Sequence, residues 1–211
     1  MKEADDALPA AWFARVDETR DDGFYVQPRL VTHIDDATIA ALTDYYREML
    51  PAGSTVLDLM SSWVSHLPPE TAFARVAGLG MNAAELAANP RLDDRLVRDL
   101  NLDPTLPYAD ASFDAVMIVV SVQYLVQPVA VFREIARVLR AGGRLIVAMS
   151  HRCFPTKAVL AFRQLSARDR IQLVGTYCQR AGGFDDIAFV DRSPTGADPL
   201  WIVTAIRGQD A

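Results

Sequence analysis

TVLDLM, residues 55–60, is an apolar run that carries an acid near its end. Two later runs, VMIVV at 116–120 and LIVAM at 145–149, likewise show no alternation of apolar and polar residues. Uninterrupted apolar strands are typical of sheets that are covered on both faces, and such sheets are mostly parallel. The sequence therefore predicts an α/β fold with helices on both faces of a mostly parallel sheet.

Strand and helix signals alternate along most of the chain. Asp35 and Asp36 can cap a helix whose apolar residues recur at helical spacing, and Pro51 and Gly53 end it. The predicted strands are residues 55–59, 74–79, 96–98, 113–120, 144–149, 186–190 and 201–206. The later predicted helices are residues 82–88, 128–139 and 154–173, the first of them capped by Asn82.

The length of 211 residues, with 51% hydrophobic and 23% charged residues, suits one globular domain. Residues 1–34 carry aromatic residues among turn formers, so we expect them to form an N-terminal arm or lid. Residues 35–211 then form the main domain.

Charge and composition exclude several classes of partner. The net charge is −6 and the basic residues are scattered, so we expect no nucleic-acid partner. No apolar run reaches about 18 residues and the first 30 are acidic and polar, so we expect no membrane segment and a cytoplasmic location. Cys153 and Cys178 lack the CxxC spacing of a zinc site, and we expect free thiols and no metal. The oligomeric state is not readable from the sequence.

Four loops follow the carboxyl ends of the first four predicted strands. In open α/β sheets, ligands bind beyond these ends, where the strand order reverses. We therefore expect one site built from residues 58–63, 78–82, 98–101 and 119–124.

The order of four segments is that of a known family. VLDL, VAGLGMNAAEL, LPYADASFDAV and VFREIARVLRAGGRLIVAMS follow one another between residues 56 and 150. Over roughly residues 36–207 the chain resembles class I S-adenosylmethionine-dependent methyltransferases of the methyltransferase type 11 group. It is most similar to a bacterial and plant branch with DLMSSWVSHLP from Asp58, GMNAAEL from Gly80 and SVQYL from Ser121.

This resemblance implies a single-domain, Rossmann-like fold whose seven-stranded, mostly parallel sheet has an antiparallel final strand. It also implies S-adenosyl-L-methionine as cofactor and S-adenosyl-L-homocysteine as product. Asp58, at the end of the first strand, is placed at the cofactor by the same pattern. Asp99 and Leu100 match the positions that hold the adenine amino group and flank its ring in this family.

The family's glycine-rich loop is altered. Its three glycine positions hold Met60, Ser62 and Val64. A left-handed conformation costs a non-glycine residue about 1–2 kcal/mol, so we expect the loop to take another path. Ser61 or Ser62 can cap a short helix there, whose N–H groups could meet a carboxylate.

The acid that takes the ribose hydroxyls in this family is replaced by Gly80. Asn82, Glu85 or a water molecule could take its place. The candidate cofactor-binding residues are Asp58, Met60, Ser61, Ser62, Trp63, Gly80, Asn82, Asp99, Leu100 and Ser121.

A general base is needed only when the methyl acceptor arrives protonated. The candidate catalytic residues are Tyr25, His66, Tyr124 and His151. The candidate substrate-binding residues are Tyr25, Arg29, Tyr124 and His151, whereas His33 is expected to serve helix entry. For each of these side chains, the alternative is a purely structural role in the core or on the surface. Trp63 can either fill vacated cofactor space or form an aromatic wall for a sulfonium.

Two functions of different class follow. One is methyl transfer from S-adenosylmethionine to a small-molecule acceptor by in-line displacement. The other is a catalytically silent methyltransferase-like protein that binds a metabolite or a partner, which the altered loop and the missing acid favour. A Rossmann oxidoreductase is disfavoured, because the dinucleotide fingerprint is absent.

Overall fold

A seven-stranded sheet forms the centre of the computed structural model, which describes residues 8–209. The strands are β1 (Thr55–Ser61), β2 (Arg75–Gly80), β3 (Asp94–Val97), β4 (Phe113–Val119), β5 (Leu139–Met149), β6 (Phe184–Asp191) and β7 (Trp201–Arg207). Their order is β3-β2-β1-β4-β5-β7-β6. The first five strands are parallel and β7 is antiparallel to both of its neighbours. The predicted sheet is therefore confirmed. Residues 1–7 of the predicted arm and the last two residues of the predicted domain lie outside the described residues.

The helices are α1 (Asp21–Phe24), α2 (Asp36–Met49), α3 (Ala83–Ala88), α4 (Pro128–Val138), α5 (Leu160–Gln164) and α6 (Ala167–Ala181). Both predicted N-caps are confirmed. The Asp35 carboxylate accepts a hydrogen bond from the Thr38 N–H at 2.9 Å, and the Asn82 side chain accepts from the N–H groups of Ala84 and Glu85. These bonds satisfy donors that have no partner within a helix.

Helices cover both faces of the sheet. Leu57 and Leu59 of β1 pack into a cluster with α4 and α6, where Phe132 and Tyr177 are fully buried. Val56, the neighbour of Leu57, points to the opposite face and packs into a second cluster with α2 and α3. Because both faces are buried, every position of these strands needs an apolar residue, which explains the uninterrupted runs.

The predicted helix at 154–173 is wrong in its bounds. The structure instead has α5 and, after a break at Leu165 and Ser166, the longer α6. The Ser166 hydroxyl accepts a hydrogen bond from the Asp169 N–H at 3.2 Å and so starts a new helix. Continuous apolar spacing across the break conceals this cap.

The end of β1 also differs from the prediction. Leu59 pairs with Leu79 and Ser61 pairs with Gly80, so Met60 between them is an unpaired bulge residue. Its φ is +60°. The expectation that this loop avoids the left-handed region is therefore wrong at Met60. The predicted short helix after β1 is also wrong, since residues 62–74 are irregular.

The bulge determines what β2 can carry at Gly80. A Cβ atom on Gly80 would lie 2.2 Å from the carbonyl oxygen of Ser61, which is backbone and cannot rotate away. An acid at this position is therefore excluded by sterics as long as β1 keeps its bulge.

We expect Gly80→Ala to lower the free energy of unfolding by about 1–3 kcal/mol or more, because the added methyl group overpacks against backbone. Gly23→Ala is the matched control, since a Cβ at Gly23 would have nothing within 4 Å. Urea unfolding followed by circular dichroism measures both. Equal stability of the two variants would show that β1 is not held against β2 in this way.

Candidate functional site

A cavity enclosing about 1200 Å³ of empty space, part of it open to solvent, lies at the carboxyl edge of the sheet. The strand order reverses between β1 and β4, at the same edge. All four predicted loops contribute to this cavity. The predicted site residues that line it are Tyr25, Arg29, Asp58, Met60, Ser61, Ser62, Trp63, His66, Gly80, Asp99, Leu100, Ser121 and Tyr124.

Asp58 is a buried carboxylate held by hydroxyl groups. One of its oxygens accepts hydrogen bonds from the hydroxyls of Ser61 and Ser65, both at 2.6 Å. The amide of Asn89 donates in turn to the Ser65 hydroxyl and to the Ser62 carbonyl, which fixes the loop after β1. Burial raises the pKa of Asp58 to about 6, against the lowering effect of the two serine bonds. This carboxyl group can therefore change its charge close to neutral pH.

Glu85, on α3, brings a second carboxylate to the cavity. Its oxygens accept hydrogen bonds from the Ser62 hydroxyl at 2.6 Å and the Arg29 N–H at 2.7 Å. Asn82, also predicted at the site, does not line the cavity: its amide donates to carbonyls of the arm, the nearer being Tyr25 at 2.8 Å, while its oxygen caps α3. Of the two candidates to replace an acid at position 80, only Glu85 faces the cavity.

The loops after β3 and β4 form the other side of the cavity. Asp99 is half-buried and accepts a hydrogen bond from the Asn101 N–H at 2.8 Å, and Leu100 is buried. The buried hydroxyl of Ser121 has no hydrogen-bond partner within the described part of the chain. Before it, Val120 has a φ of +45°, which is rare for a β-branched residue. Strain of this kind is typical of functional loops.

The N-terminal arm lies against the cavity and is held by two sets of contacts. The Trp63 indole donates a hydrogen bond to the Val31 carbonyl at 3.0 Å. Lys157, 1% exposed, lies 3.1 Å from the carboxylates of both Asp17 and Asp21. Arg15 pairs with Asp21 at 2.7 Å. Trp63 therefore joins the arm to the cavity wall.

The two predicted tyrosines are neutral hydroxyl groups in this environment. The Tyr124 hydroxyl accepts a hydrogen bond from the Phe154 N–H at 2.8 Å, and burial raises its pKa to about 12. Burial also raises the pKa of Tyr25. Near neutral pH both groups are therefore suited to donate hydrogen bonds rather than to accept a proton.

Two histidines face the cavity as neutral imidazoles. Burial, with a smaller effect from the charge of His33, lowers the pKa of His66 to about 4. Burial also lowers the pKa of His33. His33, expected at the helix entry, instead lines the cavity with its ring edge-on to Phe154 at 5.4 Å. Both imidazoles are therefore uncharged at neutral pH, and the low pKa makes His66 a weak proton acceptor.

His151, a predicted catalytic and substrate-binding residue, is not among the residues that line the cavity. Its side chain is half exposed, and its Nε2 lies 3.4 Å from an oxygen of Asp198. The chain after β5 turns toward the loop between β6 and β7, which carries Asp198.

Sequence reasoning also missed Phe154 and Lys157 as cavity residues, because their contacts with the arm join positions more than 100 residues apart.

Two further findings concern the predicted free thiols and the predicted lack of a membrane segment. Cys153 is an exposed free thiol and Cys178 a buried one. Within residues 8–209, no helix combines the length and the apolar character needed to cross a bilayer.

Comparison with known proteins identifies a related family. A family model described as "Methyltransferase domain" matches residues 60–147. Methyltransferase GfsG of Streptomyces halstedii is 31% identical over 137 residues, which cover 60% of this chain and 49% of that protein. The 27-O-demethylrifamycin SV methyltransferase of Amycolatopsis mediterranei (strain S699) is 36% identical over 122 residues, which cover 53% of this chain and 44% of that protein. The chain thus spans about half the length of the curated relatives it matches.

The fold has solved counterparts. Phosphoethanolamine N-methyltransferase 2 of Haemonchus contortus, in complex with S-adenosyl-L-methionine, superimposes with a TM-score of 0.59 at 16% identity and covers 82% of this chain and 53% of that one. At this identity the likeness concerns the fold alone. In its matched segment and its strand order, the chain is similar to the class I S-adenosylmethionine-dependent methyltransferases.

Proposed function

We propose that this chain transfers a methyl group from S-adenosylmethionine to a small-molecule acceptor. The observation that carries the proposal is the gathering of Asp58, Glu85, Asp99 and Leu100 around one cavity at the carboxyl edge. A cavity at a switch point of the sheet is the usual ligand site of such folds. The names of the two curated relatives, both methyltransferases, support the same activity.

The residues present fit the adenosine part of the cofactor. Asp99 would hold the adenine amino group and Leu100 would flank the ring. The unpartnered Ser121 hydroxyl offers a polar contact close by. Glu85 would take the ribose hydroxyls in place of the acid that Gly80 excludes, because its carboxylate has lone pairs beyond the two bonds it accepts.

The methionine part would lie toward the end of β1. Asp58 and Glu85 are both acids, so they favour the cationic groups of this part of the ligand. The Trp63 ring adds an aromatic wall, and a cation over such a ring gains about 0.5–2 kcal/mol. Met60 and Ser62 narrow the space that glycines leave open in the family.

When bound, S-adenosylmethionine supplies an electrophilic methyl group with a neutral thioether as leaving group. The protein's own contribution is then to hold the acceptor in line and to exclude water. The arm, fixed by Trp63 and Lys157, supplies the cover. His66 or His33, both neutral, can take a proton from an acceptor that arrives protonated, and Tyr25 and Tyr124 can donate hydrogen bonds to it.

The second candidate is a catalytically silent binding protein. It is favoured by the side chains of Met60 and Trp63 at positions where the family keeps small residues. Cofactor affinity separates the two candidates, because a silent protein has no need to bind both the methyl donor and its product.

Isothermal titration calorimetry with S-adenosylmethionine and S-adenosylhomocysteine tests the proposal. We expect the wild type to bind both, and Glu85→Gln to bind about 10-fold to 150-fold more weakly, because a charged hydrogen-bonding partner contributes about 1.5–3 kcal/mol. Glu48→Gln is the control, since Glu48 is a surface residue paired with Arg192. Millimolar or absent binding of both ligands to the wild type would contradict the enzymatic function.

The raised pKa of Asp58 predicts a stability cost in the ligand-free protein. The pKa of about 6 in the folded state lies above the ordinary 3.8, so folding disfavours the ionised form. The cost is absent below about pH 4, grows as the pH rises, and is complete above about pH 6, where it reaches roughly 3 kcal/mol.

Asp58→Asn should therefore be more stable than the wild type at pH 8, and the difference should shrink as the pH falls toward 4. Urea unfolding at several pH values measures it. Asp44→Asn, on the exposed face of α2, serves as the control and should show little change. An Asp58→Asn advantage that grows on acidification would refute the assigned direction.

A further inference from the structure

The arm and the loop after β5 build an aromatic cluster around one guanidinium group. The Arg29 guanidinium carbon lies 4.4 Å from the centroid of the Phe24 ring, 5.3 Å from that of Phe154 and 5.8 Å from that of Tyr25. Phe154 also stacks on Tyr124 with a centroid distance of 5.9 Å. All of these residues except Phe24 line the cavity, so the cluster is part of its wall.

Arg29 differs from the other basic residues of the cavity in its partners. Arg15 and Lys157 both pair with Asp21, and Arg98 pairs with Asp103. Within residues 8–209, no carboxylate lies within ion-pair distance of the Arg29 guanidinium.

The hydrogen bonds of Arg29 are also incomplete. Its Nη2 donates to the Phe24 carbonyl at 2.9 Å, whereas its Nη1 is buried and has no acceptor among the described residues. A buried, charged donor without an acceptor is costly, and a ligand that supplies the acceptor removes the cost.

The groups that face this guanidinium are mostly neutral. Tyr25, Tyr124 and His33 carry no charge near neutral pH, because burial raises the pKa of the tyrosines and lowers that of the histidine. Glu85 is the nearby acid, but its oxygens accept from the Arg29 backbone N–H and from Ser62. The arrangement therefore offers a positive charge between flat apolar surfaces, and no carboxylate of the described residues is paired with it.

We propose that the methyl acceptor is a small molecule that carries an oxyanion, a carboxylate or a phosphate, on a flat ring. The oxyanion binds the Arg29 guanidinium and the ring packs against the walls formed by Tyr124 and Phe154. This inference rests on the proposed function, since it assigns the acceptor end of the same cavity. The net charge of −6 makes the protein as a whole repel anions, so a preference for them must arise locally.

Ligand-observed NMR with the full chain in the presence of excess S-adenosylhomocysteine tests the inference. The probes are benzoate, phenyl phosphate and the neutral benzamide, which has nearly the shape of benzoate. We expect at least one anion to bind about 10-fold or more tightly than benzamide, because of the charge-assisted bonds to Arg29. The tighter of the two anions identifies the oxyanion.

Two variants test whether Arg29 causes the preference for anions over benzamide. Arg29→Met should bring the affinities of the anions and benzamide to within about 2-fold of each other. Arg20→Met is the matched control, because Arg20 is an exposed arginine of the same arm, paired with Asp22, and it should keep the wild-type preference.

Three results would overturn the inference: benzamide binding as tightly as both anions, a preference that persists in Arg29→Met, or no saturable binding of either anion. Binding of S-adenosylhomocysteine, measured on the same samples, separates this failure from that of the proposed function. If the wild type binds S-adenosylhomocysteine but neither anion, only the proposed class of methyl acceptor is wrong.

Discussion

The bulge at Met60 is the constraint on which the cofactor end of the cavity depends. It turns the end of β1 so that the Ser61 carbonyl presses against Gly80, which leaves no room for a side chain there. The acid that the family carries after β2 must therefore come from elsewhere. Glu85, in the first turn of α3, brings a carboxylate to the same cavity. The glycine at position 80 and the bulge at Met60 are thus linked by sterics.

The same loop explains how a buried carboxylate is tolerated without a cation. Asp58 is 3% exposed and relies on two serine hydroxyls, one of which is itself positioned by Asn89. Two neutral hydrogen bonds do not fully offset the loss of hydration, and the raised pKa measures the deficit. A cationic group that binds in the cavity would offset this cost. The ligand-free protein is therefore less stable because of Asp58, at a position that favours a positively charged ligand.

The sequence was sufficient for the elements whose signals are local. Uninterrupted apolar runs predicted β1, β4 and β5, and the caps at Asp35 and Asn82 placed the starts of two helices. The bulge was not predictable, because it depends on the pairing register of two strands and not on the residues of one. Phe154 was missed, and His33 was expected at the helix entry rather than in the cavity wall, for a related reason: this wall joins the arm to loops far along the chain.

The arm combines two kinds of contact that serve different ends. Lys157 and Asp21 form a buried charged pair, with Asp17 and Arg15 as their further partners, so this network fixes the position of the arm. The aromatic cluster around Arg29 has no such internal compensation. Because the arm is already held by the first contact, the second can remain incomplete, and Arg29 lines the cavity with one donor unsatisfied among the described residues. A site that is held rigid while one of its groups lacks a partner loses little conformational entropy on binding, which favours selective recognition of a small ligand.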